Sequence, residues 1–259
     1  SELKAIRCFP GFNPELNLNA ARAMLSRGWV PDHNCIWRGV FKLPPGSVLS
    51  LTAEDFAKAR RTGSVRHRVR AWWSLAEVAT KGRQDPMVGS DEELTSELDG
   101  LLRLAVRERM NADVPLGAFL SGGIDSSTVV ALMQAQSQKS VRTFTIAFGE
   151  RGFDEAPHAA AVARHLGTDH TELHLSPASA RDIIPELPQT WDEPFADESQ
   201  IPTLLVARLA RQHVTVALTG DGGDECFAGN ARHLMAARAN RQHGMPSPLR
   251  ETLAAAIAL

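Results

Sequence analysis

The chain has 259 residues, of which 43% are hydrophobic and 22% are charged, and its formal net charge is −2. This composition is ordinary for a globular protein, and the near-neutral charge gives no electrostatic reason to expect a nucleic acid or a membrane as the main partner. No apolar run approaches the ~20 residues that span a bilayer. Three cysteines at unrelated spacings argue against a disulfide framework and a zinc site, so a cytoplasmic location is expected.

The first 80 residues are predicted to form a small, β-rich part. Its predicted elements are a helix over about residues 18–27 and β-type runs over 35–42, 47–51 and 65–73. Pro44-Pro45-Gly46 is expected to form the turn between two of these runs. Polar and helix-breaking residues at 81–86 predict a linker to a larger part.

From about residue 90 to 259, helix and strand patterns alternate. The first helix is predicted over 91–109, where Ser90 and Glu93 match a capping box. The strand patterns cover 114–120, 141–148, 170–175 and 214–218, and the helix patterns cover 125–136, 154–165, 178–187, 201–212 and a segment after Gly223. The alternation predicts an α/β fold, a parallel sheet with helices on both faces, whose ligands bind at the carboxyl ends of the strands.

A glycine-rich loop, SGGIDSS at residues 121–127, lies between the first predicted strand of this part and its helix. Gly122 and Gly123 let the backbone turn sharply and let an anion approach it, and the helix directs free N–H groups at the loop. An aspartate beside phosphates needs a cation between them, so Asp125 is predicted to bind Mg²⁺. The alternative is a plain strand–helix turn in which Asp125 or Ser126 caps the helix.

This string resembles the pyrophosphate loop (PP-loop) of the N-type ATP pyrophosphatases. That superfamily includes asparagine synthetases, GMP synthetases, NAD synthetases and some tRNA-modifying enzymes. The Gly-Lys-Ser/Thr ending of a Walker A loop is missing from residues 121–127.

A second glycine-rich loop, TGDGGDE at residues 219–225, follows the last predicted strand and holds several carboxylates. Because it also follows a strand, we expect it at the same sheet edge as the first loop. The alternative is a solvated acidic loop that caps the next helix. The loop resembles the second signature of the glutamine-hydrolysing asparagine synthetase family, and residues 114–233 as a whole resemble the synthetase domain of that family.

The resemblance implies roles for individual residues. The nucleotide contacts that it implies are Leu120, Ser121, Gly122, Gly123, Asp125, Ser126, Ser127, Ile146, Thr219 and Gly220. Leu120 and Ile146 match backbone positions that hold adenine, and Asp125 and Asp224 match two Mg²⁺ ligands. Asp221 matches a catalytic position at which asparagine-forming members usually carry glutamate and β-lactam-forming relatives carry tyrosine. The shorter aspartate leaves the acceptor acid open.

A third acidic segment, WDEPFADES at residues 191–199, lies between predicted helices. Its carboxylates could line the acceptor pocket or hold a second cation, or the segment could be a solvated loop in which Ser199 caps a helix. The string resembles a version of the family found in exopolysaccharide and other biosynthetic clusters.

Residues 1–52 resemble the closing segment of the glutaminase domain of the same family. Cys8 and Cys35 do not match its nucleophile and are expected to be small buried residues. The expected domains are therefore residues 1–80, the end of a glutaminase-like domain with linker strands, and residues 90–259, a synthetase domain that is incomplete at its carboxyl end. As an interior portion, the chain is expected to lack glutamine hydrolysis.

The expected function is that of a carbon–nitrogen ligase that uses ATP and Mg²⁺. It would amidate a carboxylate through an acyl-adenylate and release AMP and pyrophosphate, with asparagine formation from aspartate as the first choice. Ammonia, free or derived from glutamine, would be the nitrogen donor. The alternatives are an amidotransferase for another carboxylate, for example in an exopolysaccharide pathway, and an incomplete, non-catalytic nucleotide-binding fragment or subunit. A homodimer is left open.

Overall fold

The computed structural model describes residues 2–148 except 33, 63, 64, 66 and 67, residues 155–227, and residues 229 and 235. The chain divides into two compact units, and neither is contiguous in sequence. Unit 1 takes residues 1–99 and 177–204, and unit 2 takes residues 100–176 and 205–259. The division into functional domains at 1–80 and 90–259 stays a prediction.

The described residues form helices and strands in the following order. The helices are α1 (Leu3–Arg7), α2 (Leu18–Arg27), α3 (Ala53–Thr62), α4 (Leu75–Gln84), α5 (Asp91–Met110), α6 (Ile124–Ala135), α7 (Ala156–Leu166), α8 (Pro177–Asp182), α9 (Leu187–Thr190), α10 (Gln200–Arg211) and α11 (Gly223–Phe227). The strands are β1 (Ser47–Leu49), β2 (Val69–Ala71), β3 (Leu116–Phe119), β4 (Arg142–Phe148), β5 (Asp169–Leu175) and β6 (Val216–Leu218). None of the described helices has the length and apolar character that a membrane span requires.

Unit 1 carries more helix than its predicted β-rich character. Its described residues before α5 form four helices, α1 to α4, and one antiparallel pair of three-residue strands, β1 and β2. α1, α3 and α4 were not predicted. α4 begins after Ser74, whose side chain accepts from the Glu77 N–H, and it runs through residues 81–84 of the predicted linker. The predicted helix at 18–27 is confirmed as α2, which Asn17 caps and Gly28 ends at φ +86°.

The predicted strand at 35–42 is wrong. In its place the chain makes a single β-bridge between Leu16 and Trp37. A turn follows, in which the Val40 N–H donates to the Trp37 carbonyl and Gly39 takes a φ of +77°. A residue in this left-handed region interrupts a strand, and glycine adopts it without a steric penalty.

The two amino-terminal cysteines differ in their surroundings. Cys35 is fully buried in a small apolar cluster with Ala20, Val30 and Ile36, and burial raises the pKa of its thiol. Cys8 is exposed at the end of the short helix α1, so its predicted burial is wrong.

Unit 2 is built on a parallel sheet of four strands in the order β5-β4-β3-β6. Successive side chains along its strands point alternately into two apolar clusters. The first cluster joins β3 to α5, α6 and α7 through Val106, Ala118, Leu120, Val130, Leu132, Met133, Val141, Ala159 and Ala163. The second joins Phe144 on β4 to Leu209, Ala210 and Val214 at and after the end of α10, with Phe119 packed against it. Helices therefore cover both faces, which confirms the predicted α/β fold.

The strand order contains a reversal between β3 and β6. Connections from β3 to β4 and from β4 to β5 step in one direction through α6 and α7, and β6 then pairs with the other side of β3. At such a switch point ligands bind in the crevice at the carboxyl ends of the strands. The two glycine-rich loops, at residues 121–127 and 219–225, are the loops after β3 and β6.

Two predicted helices have a different extent in the structure. Residues 178–187 are not one helix but α8, a 3₁₀ turn over Ile184–Glu186 and α9, because Pro185 and Pro188 lack the N–H that a continuing helix requires. After Gly223 the structure describes the short helix α11, and most of the later residues lie outside the described part of the chain.

Candidate functional site

The loop after β3 is held in shape by its own serines. The Ser126 side chain is 8% exposed, and its Oγ lies 2.8 Å from the Ser121 Oγ. It also accepts from the Ser121 N–H at 3.2 Å and donates to the Gly123 carbonyl at 3.3 Å. These hydroxyls close the loop on itself, so in this structure Ser121 and Ser126 preorganise the backbone rather than project into the crevice.

Gly122 lies where no side chain fits. Its φ is +82°, and a Cβ there would lie 2.7 Å from both the Ala159 nitrogen and the His158 Cβ on α7. The loop therefore runs directly against the amino-terminal part of α7. Both the backbone angle and the close approach require glycine.

The amino terminus of α6 opens onto this loop. Gly123 is its N-cap and supplies no capping side chain, so the first N–H groups of a twelve-residue helix have no side-chain acceptor from that residue. An uncapped helix start combines free donors with the positive end of the helix dipole, which suits a phosphate. Asp125 is half-buried in this first turn.

The loop after β6 forms a second tight turn. The Thr219 Oγ1 accepts from the Asp221 N–H at 3.2 Å, and the Gly223 N–H donates to the Gly220 carbonyl at 3.2 Å. Gly222 has a φ of +94°. The turn leaves Asp221 exposed and places Asp224 in the first turn of α11.

The structure brings the two loops into contact. A Cβ on Gly220 would lie 2.6 Å from the Ser126 nitrogen, and one on Gly223 would lie 2.4 Å from the Asp125 carboxylate. The backbone of the second loop thus packs against the first turn of α6, and it does so through two residues that lack a side chain. The sequence-based expectation that both loops lie at one edge of the sheet is confirmed by this contact.

The surroundings of Asp125 and Asp224 show whether these residues fit a Mg²⁺ site. The Asp125 carboxylate lies against Gly223, the residue that precedes Asp224 in the chain. The described residues contain no group of three or more histidine, cysteine, aspartate or glutamate side chains that could hold a metal. Mg²⁺ in nucleotide sites uses one or two carboxylates together with substrate phosphates and water, so the Asp125 carboxylate beside an anion-binding helix start fits this ion. Asp224 follows Gly223 in the chain and is the candidate for a second ligand.

The other implied nucleotide contacts divide into two groups. Leu120 directly follows β3 and Ile146 lies in the second half of β4; they are 1% and 9% exposed, and the Leu120 N–H donates to the Phe144 carbonyl at 3.0 Å. Ser127 instead lines a shallow groove between α6 and α7, and its hydroxyl has no hydrogen-bond partner among the described residues. The structure therefore does not join Ser127 to the serine pair of the loop.

The comparison with known families gives an independent result. The family model described as asparagine synthase matches residues 97–258, which include both glycine-rich loops. The chain belongs to the asparagine synthase family.

Three relatives illustrate the range of the match. "Putative asparagine synthetase (glutamine-hydrolyzing) 2" of Methanocaldococcus jannaschii is 34% identical over 96% of this chain and 46% of its own length. "Asparagine synthetase (glutamine-hydrolyzing) 1" of Bacillus subtilis is 31% identical over 83% of this chain and 31% of its own length. "Amidase chry2" of Gibberella zeae is 28% identical over 97% of this chain and 37% of its own length. The chain thus spans less than half the length of these curated relatives.

Sequence reasoning on this member of the asparagine synthase family missed the partners of the third acidic segment. Asp192 and Glu193 bind backbone N–H groups of the amino-terminal segment within unit 1. These bonds join residues that are 157 to 189 positions apart, and no local sequence pattern predicts such pairs.

Proposed function

We propose that unit 2 carries the ATP-handling site of a ligase that amidates a carboxylate through an acyl-adenylate. The observation that supports this most is the contact between the two glycine-rich loops at the switch point of the sheet. It brings an uncapped helix start, a backbone that accommodates no side chains and the Asp125 carboxylate to one place.

The proposed reaction has two displacements. A carboxylate oxygen of the acceptor bonds to the α-phosphorus of ATP, and the bond between that phosphorus and the bridging oxygen breaks, so that pyrophosphate leaves. Ammonia then bonds to the acyl carbon, the bond to the AMP oxygen breaks, and the nitrogen releases a proton to give the amide. The backbone N–H groups around Gly122 and at the start of α6 would hold the departing phosphates in position.

Carboxylates near those phosphates require a cation. Asp125 and Asp224 would hold Mg²⁺, and that ion would offset the charge that develops on the phosphate oxygens. Their placement on two separate loops means that each loop supplies one ligand. Asp221, exposed on the turn between Thr219 and Asp224, would face the acceptor side of the reaction.

Aspartate is the proposed acceptor, and asparagine the product, because relatives over this chain's length are named asparagine synthetases. A different acceptor carboxylate is the second candidate, since a relative named an amidase matches nearly all of the chain and Asp221 is shorter than the usual glutamate. A third candidate is nucleotide binding without catalysis.

The test compares Asp125→Asn with Asp113→Asn, a matched control on an exposed residue before β3, at the amino end of the strand. Calorimetry with Mg²⁺ and ATP is expected to show a loss of about tenfold or more in affinity for Asp125→Asn, because the amide removes one charged ligand, and no change for Asp113→Asn. Equal affinities in both variants would contradict the assignment of Asp125.

Turnover separates the three candidates. Pyrophosphate release is measured with ATP, Mg²⁺ and ammonia, with and without aspartate and then with a panel of other carboxylates. Release that depends on aspartate supports asparagine formation, and release with another acid supports the second candidate. ATP binding with no release for any acid supports the third.

A further inference from the structure

The third acidic segment, at residues 191–199, fastens the amino-terminal segment of unit 1. Asp192 accepts from the N–H groups of Leu3 and Lys4, which are the first donors of α1. Glu2, the N-cap of α1, makes no side-chain capping bond, so the cap of this helix comes from a residue 189 positions from Leu3. A carboxylate at a helix start satisfies free donors and the helix dipole together.

Glu193 makes the second attachment. Its Oε1 accepts from the Ile36 N–H at 2.7 Å, and its Oε2 lies 2.5 Å from the Lys42 Nζ. Lys42 also donates to the Val30 carbonyl at 3.2 Å. Val30 and Ile36 are 5% and 7% exposed in the small apolar cluster, so Glu193 binds the edge of that cluster.

Backbone contact continues past the two carboxylates. The Ala196 N–H donates to the carbonyl of Gly28, the residue that ends α2, at 2.7 Å. Lys4 adds a bond from its Nζ to the Thr190 carbonyl at 3.0 Å. Residues 190–196 thus contact α1, the end of α2 and the chain between α2 and β1.

The same geometry speaks against the two binding roles that the sequence left open for this segment. Asp192 and Glu193 are 22% and 15% exposed in their side chains and are already paired with Lys4 and Lys42. Among the described residues, none of those that line the cavity of about 280 Å³ beside them is a lysine, arginine or histidine. An acceptor carboxylate in that cavity would therefore meet two carboxylates whose lysine partners do not line it, and a metal ion would have to displace two lysines.

We infer that Asp192 and Glu193 form a carboxylate clasp that docks residues 3–42 onto residues 190–196, and that these two carboxylates bind neither the acceptor nor a second cation. The clasp is independent of the proposed adenylation, because all of its members lie within unit 1.

The test uses Glu193→Gln, Lys42→Met and the double variant, with Glu198→Gln as the control because Glu198 is an exposed carboxylate of the same segment. Hydrogen exchange of the Ile36 amide is expected to accelerate about tenfold or more in Glu193→Gln, because the amide loses a hydrogen bond to a charged acceptor. Exchange in Glu198→Gln is expected to equal that of the unmodified chain. The effects of Glu193→Gln and Lys42→Met should be less than additive, because each removes the same ion pair.

Two further measurements decide the second half of the inference. Binding of Mn²⁺ alone, followed by electron paramagnetic resonance, and the affinity for ATP with Mg²⁺ are both expected to be unchanged in Glu193→Gln. An unchanged Ile36 exchange rate in this variant would overturn the clasp, and so would the loss of a bound Mn²⁺. A chain that failed to bind ATP would refute the proposed function and leave the exchange result standing.

Discussion

Unit 2 is organised around two apolar clusters on the faces of a parallel sheet, whereas the described part of unit 1 has one small cluster and a set of hydrogen bonds to carboxylates. Most of the large apolar side chains that are exposed also lie in unit 1, among them Trp72 at 75% and Leu25 at 83%. We therefore expect the stability of the sheet unit to depend mainly on burial of apolar surface, and that of unit 1 to depend more on long-range polar contacts. The two should therefore respond differently to the same kind of change.

The largest expected loss of stability comes from a substitution that creates a cavity in the sheet unit. Phe144, 1% exposed, fills the second cluster, and Phe144→Ala is expected to lower the free energy of unfolding of unit 2 by about 3–5 kcal/mol. Phe56→Ala, at a side chain that is 59% exposed on α3, is the control, with an expected change within about 0.5 kcal/mol.

The chain offers separate probes for the two units. All five tryptophans lie in the residue ranges of unit 1, and there is no tyrosine, so tryptophan emission reports on unit 1 alone. Hydrogen exchange of the β3, β4 and β5 amides reports on unit 2. Faster exchange without a change in emission is expected for Phe144→Ala, and an equal change in both probes would mean that the units unfold together.

An intermediate effect is expected at Gly122, where the loop backbone packs against the backbone of α7. Gly122→Ala adds a Cβ at positive φ and within 2.7 Å of α7, and it should cost about 2 kcal/mol or more and weaken ATP binding. Gly167→Ala has the same backbone penalty at φ +70° with no atom within 4 Å, so it should cost about 1–2 kcal/mol and leave ATP binding unchanged. Equal losses in the two variants would show that the contact with α7 contributes nothing beyond the backbone angle.

The smallest expected effect is a difference in acid sensitivity. In unit 2, burial lowers the pKa of His170 below 6.5, opposed by the Glu172 carboxylate, while its Nδ1 lies 2.8 Å from the Thr143 Oγ1. As the pH falls, His170 therefore binds a proton more readily in the unfolded chain than in the folded one. Unit 2 should begin to lose stability as the pH falls below about 6.5. In unit 1, hydrogen bonds from the Thr52 N–H and hydroxyl, with Arg68, lower the pKa of Asp55 to about 2. Its contribution is present above about pH 4 and is lost as the pH falls towards 2.

Hydrogen exchange rates of the β5 and α3 amides, measured across pH, test whether unit 2 loses stability at a higher pH than unit 1. His170→Gln should remove the loss of stability that begins below about pH 6.5, and His174→Gln, at an 80% exposed side chain on the same strand, should leave it in place. Loss of both units over one pH window would contradict the separate origins of the two steps.

Sequence patterns predicted most of the sheet unit because its elements depend on local periodicity. In unit 1, the capping box of Ser90 and Glu93 at the start of α5 depends on a local pattern too and is present as predicted, with the Ser90 N–H donating to the Glu93 Oε2 at 2.9 Å. The meeting of the two glycine-rich loops also follows from a general property of parallel sheets, whose strands all end at one edge. The Mg²⁺ roles of Asp125 and Asp224 stay predictions.

The misses have identifiable physical causes. α3 has a capping box in which the Thr52 N–H donates to the Asp55 Oδ2 at 2.9 Å, with aspartate where glutamate or glutamine is the usual signal. The run at 35–42 has strand-like residues, but Gly39 turns it. The partners of Asp192 and Glu193 are set by packing in three dimensions, which no window of sequence contains.

The bond between Leu3 and Asp192 has a consequence for the order of events during synthesis. Leu3 leaves the ribosome before Asp192, because the residue that completes its helix is translated 189 positions later. At about 5–20 residues per second, the amino-terminal segment waits on the order of ten to forty seconds for its partner. During that interval its tryptophans and leucines are available to chaperones, so slowed translation between the two halves of unit 1 would prolong their exposure.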